Sequence, residues 1–130
     1  GLGVEKNPAQ AAKWYIVSAE GNYAPAQYNL AELYYYGSGV PHSKTSALKW
    51  YMKAALQLDE LAMYAVGQMY ANGDGGSQDL TTAYMWLYLS KKLGHADSPV
   101  ALEAISPFLE TGDMEKAMQS AEVWLEGKTY

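Results

Sequence analysis

Small and apolar residues along the chain recur at spacings of three and four, which is the period of a helix rather than a strand. In the first such stretch, this spacing places Ala11, Trp14, Tyr15, Ser18 and Ala19 on one side of a helix, which we predict to be buried. The same pattern along the whole chain predicts seven helices near residues 8–20, 25–36, 44–57, 60–71, 79–92, 99–109 and 114–126.

Glycine loops separate pairs of these helices. Ala26, Leu30, Leu33 and Tyr34 form a second stripe, and the sequence GSGV at residues 37–40 follows it. Because glycine adopts positive φ easily, this loop is a natural end for a helix. The predicted unit is therefore a helix, a short turn, a second helix and a glycine loop.

The unit repeats every 36 residues. At this offset three of the four tryptophans, Trp14, Trp50 and Trp86, share one phase. Many other pairs match between the first two copies, among them Gly3/Gly39, Val4/Val40, Lys13/Lys49, Tyr15/Tyr51, Ala19/Ala55, Ala26/Ala62, Tyr34/Tyr70 and Gly37/Gly73. We expect the alanines to let helices approach closely and the tryptophans to be buried between successive helix pairs.

This pattern predicts one all-α domain, an α-solenoid in which antiparallel helix pairs form a right-handed superhelix. The repeat register is 1–36, 37–72 and 73–109, and an amphipathic helix at about 114–126 is expected to cap the carboxyl end. In the third repeat a slip of three residues, with an insertion in residues 91–97, would bring Ala101 and Ile105 to the repeat positions. Pro107 should bend or shorten its helix because it lacks an amide donor.

Composition narrows the classes of function. Of the 130 residues, 49% are hydrophobic, and the net charge is −5, which argues against nucleic acid as a partner. No segment is apolar enough over about 18 residues to span a bilayer. The chain has no cysteine, so disulfides and thiolate metal sites are excluded, and a cytoplasmic, periplasmic or secreted location stays open.

The repeated residues resemble the Sel-1-like repeat family, a relative of the tetratricopeptide repeats. The family pattern has a small residue, Leu-Gly, a tyrosine, a Gly-x-Gly-Val loop, and a helix with Ala, Trp-Tyr and paired alanines. Here it reads as Ala26, Leu30-Ala31, Tyr34, the loop at 37–40, Ala47, Trp50-Tyr51 and Ala54-Ala55. GLGV at residues 1–4 matches the loop without a preceding helix, so we expect the chain to be part of a longer protein.

The resemblance implies an adaptor or scaffold that binds a protein or peptide and has no catalytic activity or cofactor. An alternative from a different class is a regulatory subunit of an enzyme, or the cell-wall and β-lactam-related activity claimed for cysteine-rich relatives. The absence of cysteine separates this chain from those relatives. The oligomeric state stays open.

Candidate catalytic and metal-binding residues are few. Ser46 and Lys49 have the Ser-x-x-Lys spacing of penicillin-recognising enzymes, but the accompanying motifs are absent. His42 and His95 lie in predicted loops without the spacing of a metal site, and the loop around Asp74 lacks the alternating oxygen ligands of a calcium site. We therefore predict no catalytic residue and no metal site.

A binding surface is predicted opposite the second buried stripe, on the concave face formed by the first helix of each pair. Tyrosine is enriched at protein interfaces, and the chain has twelve. The predicted partner-binding residues are Tyr28, Asn29, Glu32, Tyr35, Tyr36, Tyr64, Gln68 and Asn72. Glu32 and the net charge favour a neutral or basic peptide or partner helix.

Overall fold

A computed structural model of the chain describes residues 8–128. Within this range there are seven α-helices and one 3₁₀ turn, and no strand occurs. The helices are α1 (Pro8–Glu20), α2 (Ala24–Tyr36), α3 (Lys44–Ala55), α4 (Glu60–Asn72), α5 (Leu80–Lys92), α6 (Ser98–Ile105) and α7 (Thr111–Lys128), with the 3₁₀ turn at Ser106–Phe108. The predicted all-α class and order of helices are confirmed. The predicted glycine loop at residues 1–4 lies outside the described part.

Short polar side chains and glycines set the helix ends. The side chains of Ser43, Asp59 and Asp79 accept hydrogen bonds from backbone amides in the first turns of α3, α4 and α5. Gly37 and Gly73 end α2 and α4 in the left-handed conformation, with φ of 69° and 73°. Their amides bond to carbonyls of the last helical turn, so the chain reverses at the same point in both repeats.

The 36-residue period holds in the backbone. Asn22, Leu58 and Gly94 lie at this offset, and all three have positive φ, between 69° and 95°. The hydrogen bond that closes this turn also recurs three times, in the amide–carbonyl pairs Tyr23–Ser18, Asp59–Ala54 and His95–Ser90. The turns between the two helices of each pair are therefore nearly identical.

This regularity corrects the predicted slip in the third repeat. Ser98 and Leu102 stand at the unslipped positions of Ala26 and Leu30, and they are 0% and 6% exposed. With the turn bond of His95 also in register, the predicted insertion in residues 91–97 is wrong. Pro107 shortens its helix as predicted, since α6 ends at Ile105 and Pro107 lies in the 3₁₀ turn that follows.

Adjacent helices approach most closely at small residues. A Cβ atom on Gly67 would lie 2.7 Å from Cγ of Leu87 and 3.2 Å from the carbonyl oxygen of Ala83. Glycine at this position therefore allows α4 and α5 to pack backbone against side chain. The buried residues at the other helix contacts include Ala31, Ala47, Ala54, Ala55 and Ala62, each 0% exposed.

Tryptophans join successive helix pairs. Trp50 of α3 packs on the cluster that contains Ala19 and Leu30 of the preceding pair. Trp86 of α5 is 6% exposed and meets Trp124 of α7 edge to face, at a ring-centroid distance of 6.0 Å. The terminal helix α7 thus covers α5, as expected of a cap. The residues on its inward side are buried or half-buried: Met114, Ala117, Met118, Ala121 and Trp124.

The predicted burial of Trp14 is wrong. Its side chain is 74% exposed, because α1 is the first described helix and no described helix covers this side of it. The predicted stripe on α1 is also shifted, since Ala12 and Ala19 are its buried residues, whereas Ala11, Tyr15 and Ser18 are half-buried. The predicted helix period is correct, but burial of the repeat position depends on a neighbouring pair.

None of the described helices has the length and apolar character needed to cross a bilayer.

Replacing the repeat tryptophans should have unequal effects. Trp86→Ala should lower the free energy of unfolding by about 3 to 5 kcal/mol, because it leaves a cavity between α5 and α7. Trp14→Ala should change it by less than about 0.5 kcal/mol, because the side chain is exposed. Urea unfolding followed by circular dichroism measures both. Equal losses would contradict the position of Trp14 on the surface.

The second glycine loop offers a matched pair of variants. Gly75 has φ of 77°, and a Cβ atom there would lie 2.6 Å from the carbonyl oxygen of Lys44. Gly75→Ala should therefore cost about 2 kcal/mol or more of stability. Gly76→Ala is the control, because no described atom beyond its chain neighbours lies within 4 Å of its Cβ position. Thermal unfolding of the two variants tests this, and a smaller loss in Gly75→Ala than in Gly76→Ala would refute the loop geometry.

Candidate partner-binding groove

Side chains from α2, α4 and α6 line one face of the solenoid, where two grooves adjoin. The first, which we call the tyrosine groove, encloses about 340 Å³ and is lined by Tyr28, Glu32, Tyr35, Tyr36, Tyr51, Leu61, Tyr64, Ala65, Gln68, His95 and Asp97. The second, the apolar groove, encloses about 650 Å³ and is lined by Tyr64, Gln68, Ala71, Asn72, Gln78, Leu80, Asp97, Val100, Ala101, Ala104, Ile105 and Phe108. Because Tyr64, Gln68 and Asp97 belong to both, the two grooves are continuous.

The predicted partner-binding residues lie almost entirely along these grooves. Tyr28, Glu32, Tyr35 and Tyr36 of α2 line the tyrosine groove. Tyr64 and Gln68 line both grooves, and Asn72 lines the apolar one. Asn29 is half-buried and lines neither. The period brings these residues together, but their role in binding stays a prediction.

Groove residues beyond the predicted set include several from the third repeat, from α3 and from α4. Val100, Ala104 and Phe108 stand 36 residues after Tyr64, Gln68 and Asn72, so extending the period once more without a slip would have identified them. Tyr51 lines the tyrosine groove from α3, although its place beside Trp50 indicated only a repeat-core residue. His95 and Asp97 come from the turn before α6. Asp97 stands 36 residues after Leu61, which lines the same groove, whereas the residues equivalent to His95 line neither groove.

Glu32 lies at the centre of a tyrosine cluster. The rings of Tyr28 and Tyr51 are tilted, with centroids 5.5 Å apart, and both hydroxyls interact with the Glu32 carboxylate. Burial, and then the nearby carboxylate, raise the pKa of both phenols well above the ordinary value of 10.0. The two phenols are therefore neutral at physiological pH.

A second cluster ties the groove to the glycine loop that follows α4. Asp74 accepts hydrogen bonds from the hydroxyl of Tyr35 at 3.3 Å and from Nζ of Lys44 at 3.0 Å. Burial and the charge of Asp74 raise the pKa of Tyr35, so this phenol also stays protonated. The Tyr35 ring meets Tyr36 at a centroid distance of 5.0 Å. Asp74 therefore balances the charge of Lys44 in an ion pair, and its hydrogen bond positions Tyr35 at the aromatic end of the groove.

At the middle of the groove, Tyr64 makes two further contacts. Its hydroxyl accepts a hydrogen bond from Nε2 of Gln68 at 3.0 Å. The ring of His95 meets the Tyr64 ring edge to face, with centroids 4.3 Å apart. His95 is half-buried, so it is part of the groove wall rather than a solvated loop residue.

The residues considered for catalysis have other partners. Oγ of Ser46 accepts a hydrogen bond from Oγ of Ser43 at 3.0 Å, at the start of α3. Nζ of Lys49 lies 5.4 Å above the ring of Trp50, and His42 is exposed. In residues 8–128 no group of three or more His, Cys, Asp or Glu side chains is arranged to hold a metal ion. The grooves are therefore the candidate site that the described residues offer.

Comparison with known families matches the Sel1 repeat at residues 1–23, 24–57 and 60–95, which together make up more than half of the chain. The chain belongs to the Sel1 repeat family. The family match follows the same period as the turns and glycine loops of the structure. Sel1 repeats are a general scaffold for protein–protein interaction, and proteins of this family are in general non-enzymatic and typically bind other proteins.

Two solved structures show the same Sel1-type fold. One is a Sel1 repeat protein from Oxalobacter formigenes, which is 29% identical, has a TM-score of 0.69, and aligns over 71% of this chain and 69% of its own. The other is a protective antigen present in uropathogenic Escherichia coli strains and displaying an SLR fold, with 22% identity and a TM-score of 0.87. That alignment covers 95% of this chain but only 27% of the antigen, so it supports the solenoid fold alone. A comparison with curated protein sequences finds no match.

The tyrosine cluster predicts a distinct response to alkali. A phenol whose pKa is raised in the folded state contributes stability below pH 10.0, its ordinary value, and this contribution is lost as the pH rises further. Tyr51→Phe should lose about 1 kcal/mol of stability at neutral pH, because the variant lacks the interaction of the buried hydroxyl with Glu32. Above pH 10.0 its deficit should shrink by up to about 1.4 kcal/mol per pH unit, since the phenyl ring of the variant has no hydroxyl proton to lose.

Urea unfolding of the wild type and of Tyr51→Phe at a series of pH values measures this difference. A stability gap that stays constant from neutral pH through the alkaline range would contradict the environment assigned to Tyr51.

Proposed function

We propose that this Sel1 repeat chain is a non-enzymatic adaptor that binds an extended peptide or a helix of a partner protein in the tyrosine and apolar grooves. The observation that carries the proposal is that α2, α4 and α6 present one continuous groove rich in tyrosine. Tyrosine provides a large, rigid contact area together with one hydroxyl, and it is enriched where proteins bind each other.

Large aromatic side chains along the groove are exposed to solvent and are not packed in the core. Tyr36 is 72% exposed and Phe108 is 75% exposed, although both are large aromatic side chains. Tyr36 is the last residue of α2. Phe108 stands at the equivalent position two repeats later, at the end of the 3₁₀ turn that follows α6, on the same face. Exposed aromatic side chains that share a groove are typical of interaction sites.

Catalysis has less support. The Ser46 hydroxyl is engaged with Ser43, and the Lys49 ammonium lies over an indole ring, so no base is positioned next to a nucleophile at this motif. A role as a regulatory subunit of an enzyme would use the same grooves, because such a subunit also acts by binding a protein.

Peptides selected from a random library displayed on phage test the proposal. We expect selected peptides to bind the wild type, and Tyr36→Ala or Tyr64→Ala to weaken binding by about tenfold or more, as is usual for an aromatic residue central to an interface. Fluorescence anisotropy with the labelled peptides measures the dissociation constants, and circular dichroism verifies that each variant is folded.

Tyr23→Ala is the matched control. Tyr23 is 61% exposed and lies before α2 but lines neither groove, so this change should leave the dissociation constant within about twofold of wild type. Peptides that lose equal affinity in all three variants, or that bind all of them like wild type, would refute binding in these grooves.

A further inference from the structure

The groove changes its chemistry from one repeat to the next at equivalent positions. At one position, 36 residues apart, stand Glu32, Gln68 and Ala104, so a carboxylate is followed by an amide and then by a methyl group. One helical turn earlier, the equivalent residues are Tyr28, Tyr64 and Val100. One turn later they are Tyr36, Asn72 and Phe108. The same backbone thus presents an acidic, aromatic end and an apolar end.

The carboxylates that line the groove have no lysine or arginine beside them there. Glu32 and Asp97 line the tyrosine groove, Asp97 also lines the apolar groove, and within residues 8–128 no lysine or arginine lines either. Lys44 lies over the Tyr35 ring at 5.4 Å, but it is paired with Asp74. A ligand with a positive charge therefore complements the α2 end of the groove.

The aromatic rings favour the same kind of ligand. Tyr28, Tyr35, Tyr36, Tyr51 and Tyr64 surround this end, and the ring pairs within it are tilted or edge to face. Tyr36 is 72% exposed, so its ring is accessible to a ligand, and the negative face of an aromatic ring attracts a cation. A guanidinium group is planar, stacks on aromatic faces, and forms paired hydrogen bonds with a carboxylate such as Glu32.

The other end of the groove favours apolar side chains. Val100 is 70% exposed, Phe108 is 75% exposed, and Ala104 lies between them on the same face. Asp97 borders this groove, but among the described residues no other charged side chain lines it, so an apolar side chain bound beside Phe108 would bury apolar surface. A single segment of a partner can reach both ends because the two grooves are continuous.

We propose that the partner segment carries an arginine that enters the tyrosine groove and pairs with Glu32, and an apolar side chain that enters the apolar groove beside Phe108. This inference rests on the proposed function and adds the partner's chemistry and its direction along the groove. The arginine lies at the α2 end, and the apolar residue lies at the α6 end.

A double-mutant cycle on peptides selected from the random library tests the pairing. Selected peptides should contain an arginine, and replacing it by the neutral, nearly isosteric citrulline should weaken binding to the wild type by about tenfold. Glu32→Gln should weaken binding of the arginine peptide by a similar factor, but it should not weaken binding of the citrulline peptide further. Fluorescence anisotropy at about 0.15 M salt measures the affinities, because charges far from the groove are then largely screened.

Two further variants complete the test. Glu115→Gln removes the same charge from an exposed position of α7 outside both grooves, and it should change the affinity by less than about twofold. Phe108→Ala should weaken the arginine and citrulline peptides by the same factor, about five- to tenfold, because it acts at the other end.

The outcomes separate the two proposals. Peptides that depend on Tyr64 but lack arginine, or arginine and Glu32 effects that simply add, would overturn the pairing and leave the adaptor function in place. An equal loss in Glu115→Gln would also overturn it, because net charge alone would then explain the effect. If no selected peptide depends on Tyr36 or Tyr64, the proposed function itself is wrong.

Discussion

Each helix pair of this protein depends on a neighbouring pair to cover its apolar side. Trp86 shows the constraint fulfilled, since it is almost completely buried between α5 and α7, whereas Trp14, at the equivalent position of α1, is exposed. The same residue type at the same repeat position therefore has opposite environments. In a solenoid, burial is a property of the contact between neighbouring units, and stability accumulates from those contacts.

Close packing of the units also determines where the two grooves lie. Small residues such as Ala31 and Gly67 bring the helices into contact, and the positive φ angles at Asn22, Leu58 and Gly94 reverse the chain in the same way each time. Helices α2, α4 and α6 consequently share one face. Their outward positions form continuous rows. Side chains in these rows do not have to fit the close packing that holds the buried faces of the helices together.

The rows show how a regular fold acquires a specific surface. Buried positions between helices keep their residue type from repeat to repeat, as at Ala47 and Ala83. The groove position changes, from Glu32 in one repeat to Gln68 in the next. The Tyr35–Asp74–Lys44 cluster links the two, because a groove tyrosine is hydrogen-bonded to the loop that joins the next helices. The fold and family supply a protein-interaction scaffold, and the non-repeated groove side chains supply its chemistry.

The 36-residue period by itself determined the helices, the glycine turns and the rows of residues that face one way, because helix periodicity and glycine conformations are local properties of the chain. That is why the spacing alone places Tyr28, Glu32 and Tyr64 together on one face. Tertiary structure alone decided the exposure of Trp14 and the entry of His95 into the groove wall, because both depend on which element lies across from the side chain. Neighbours of that kind are set by the packing of distant segments, and local spacing carries no record of them.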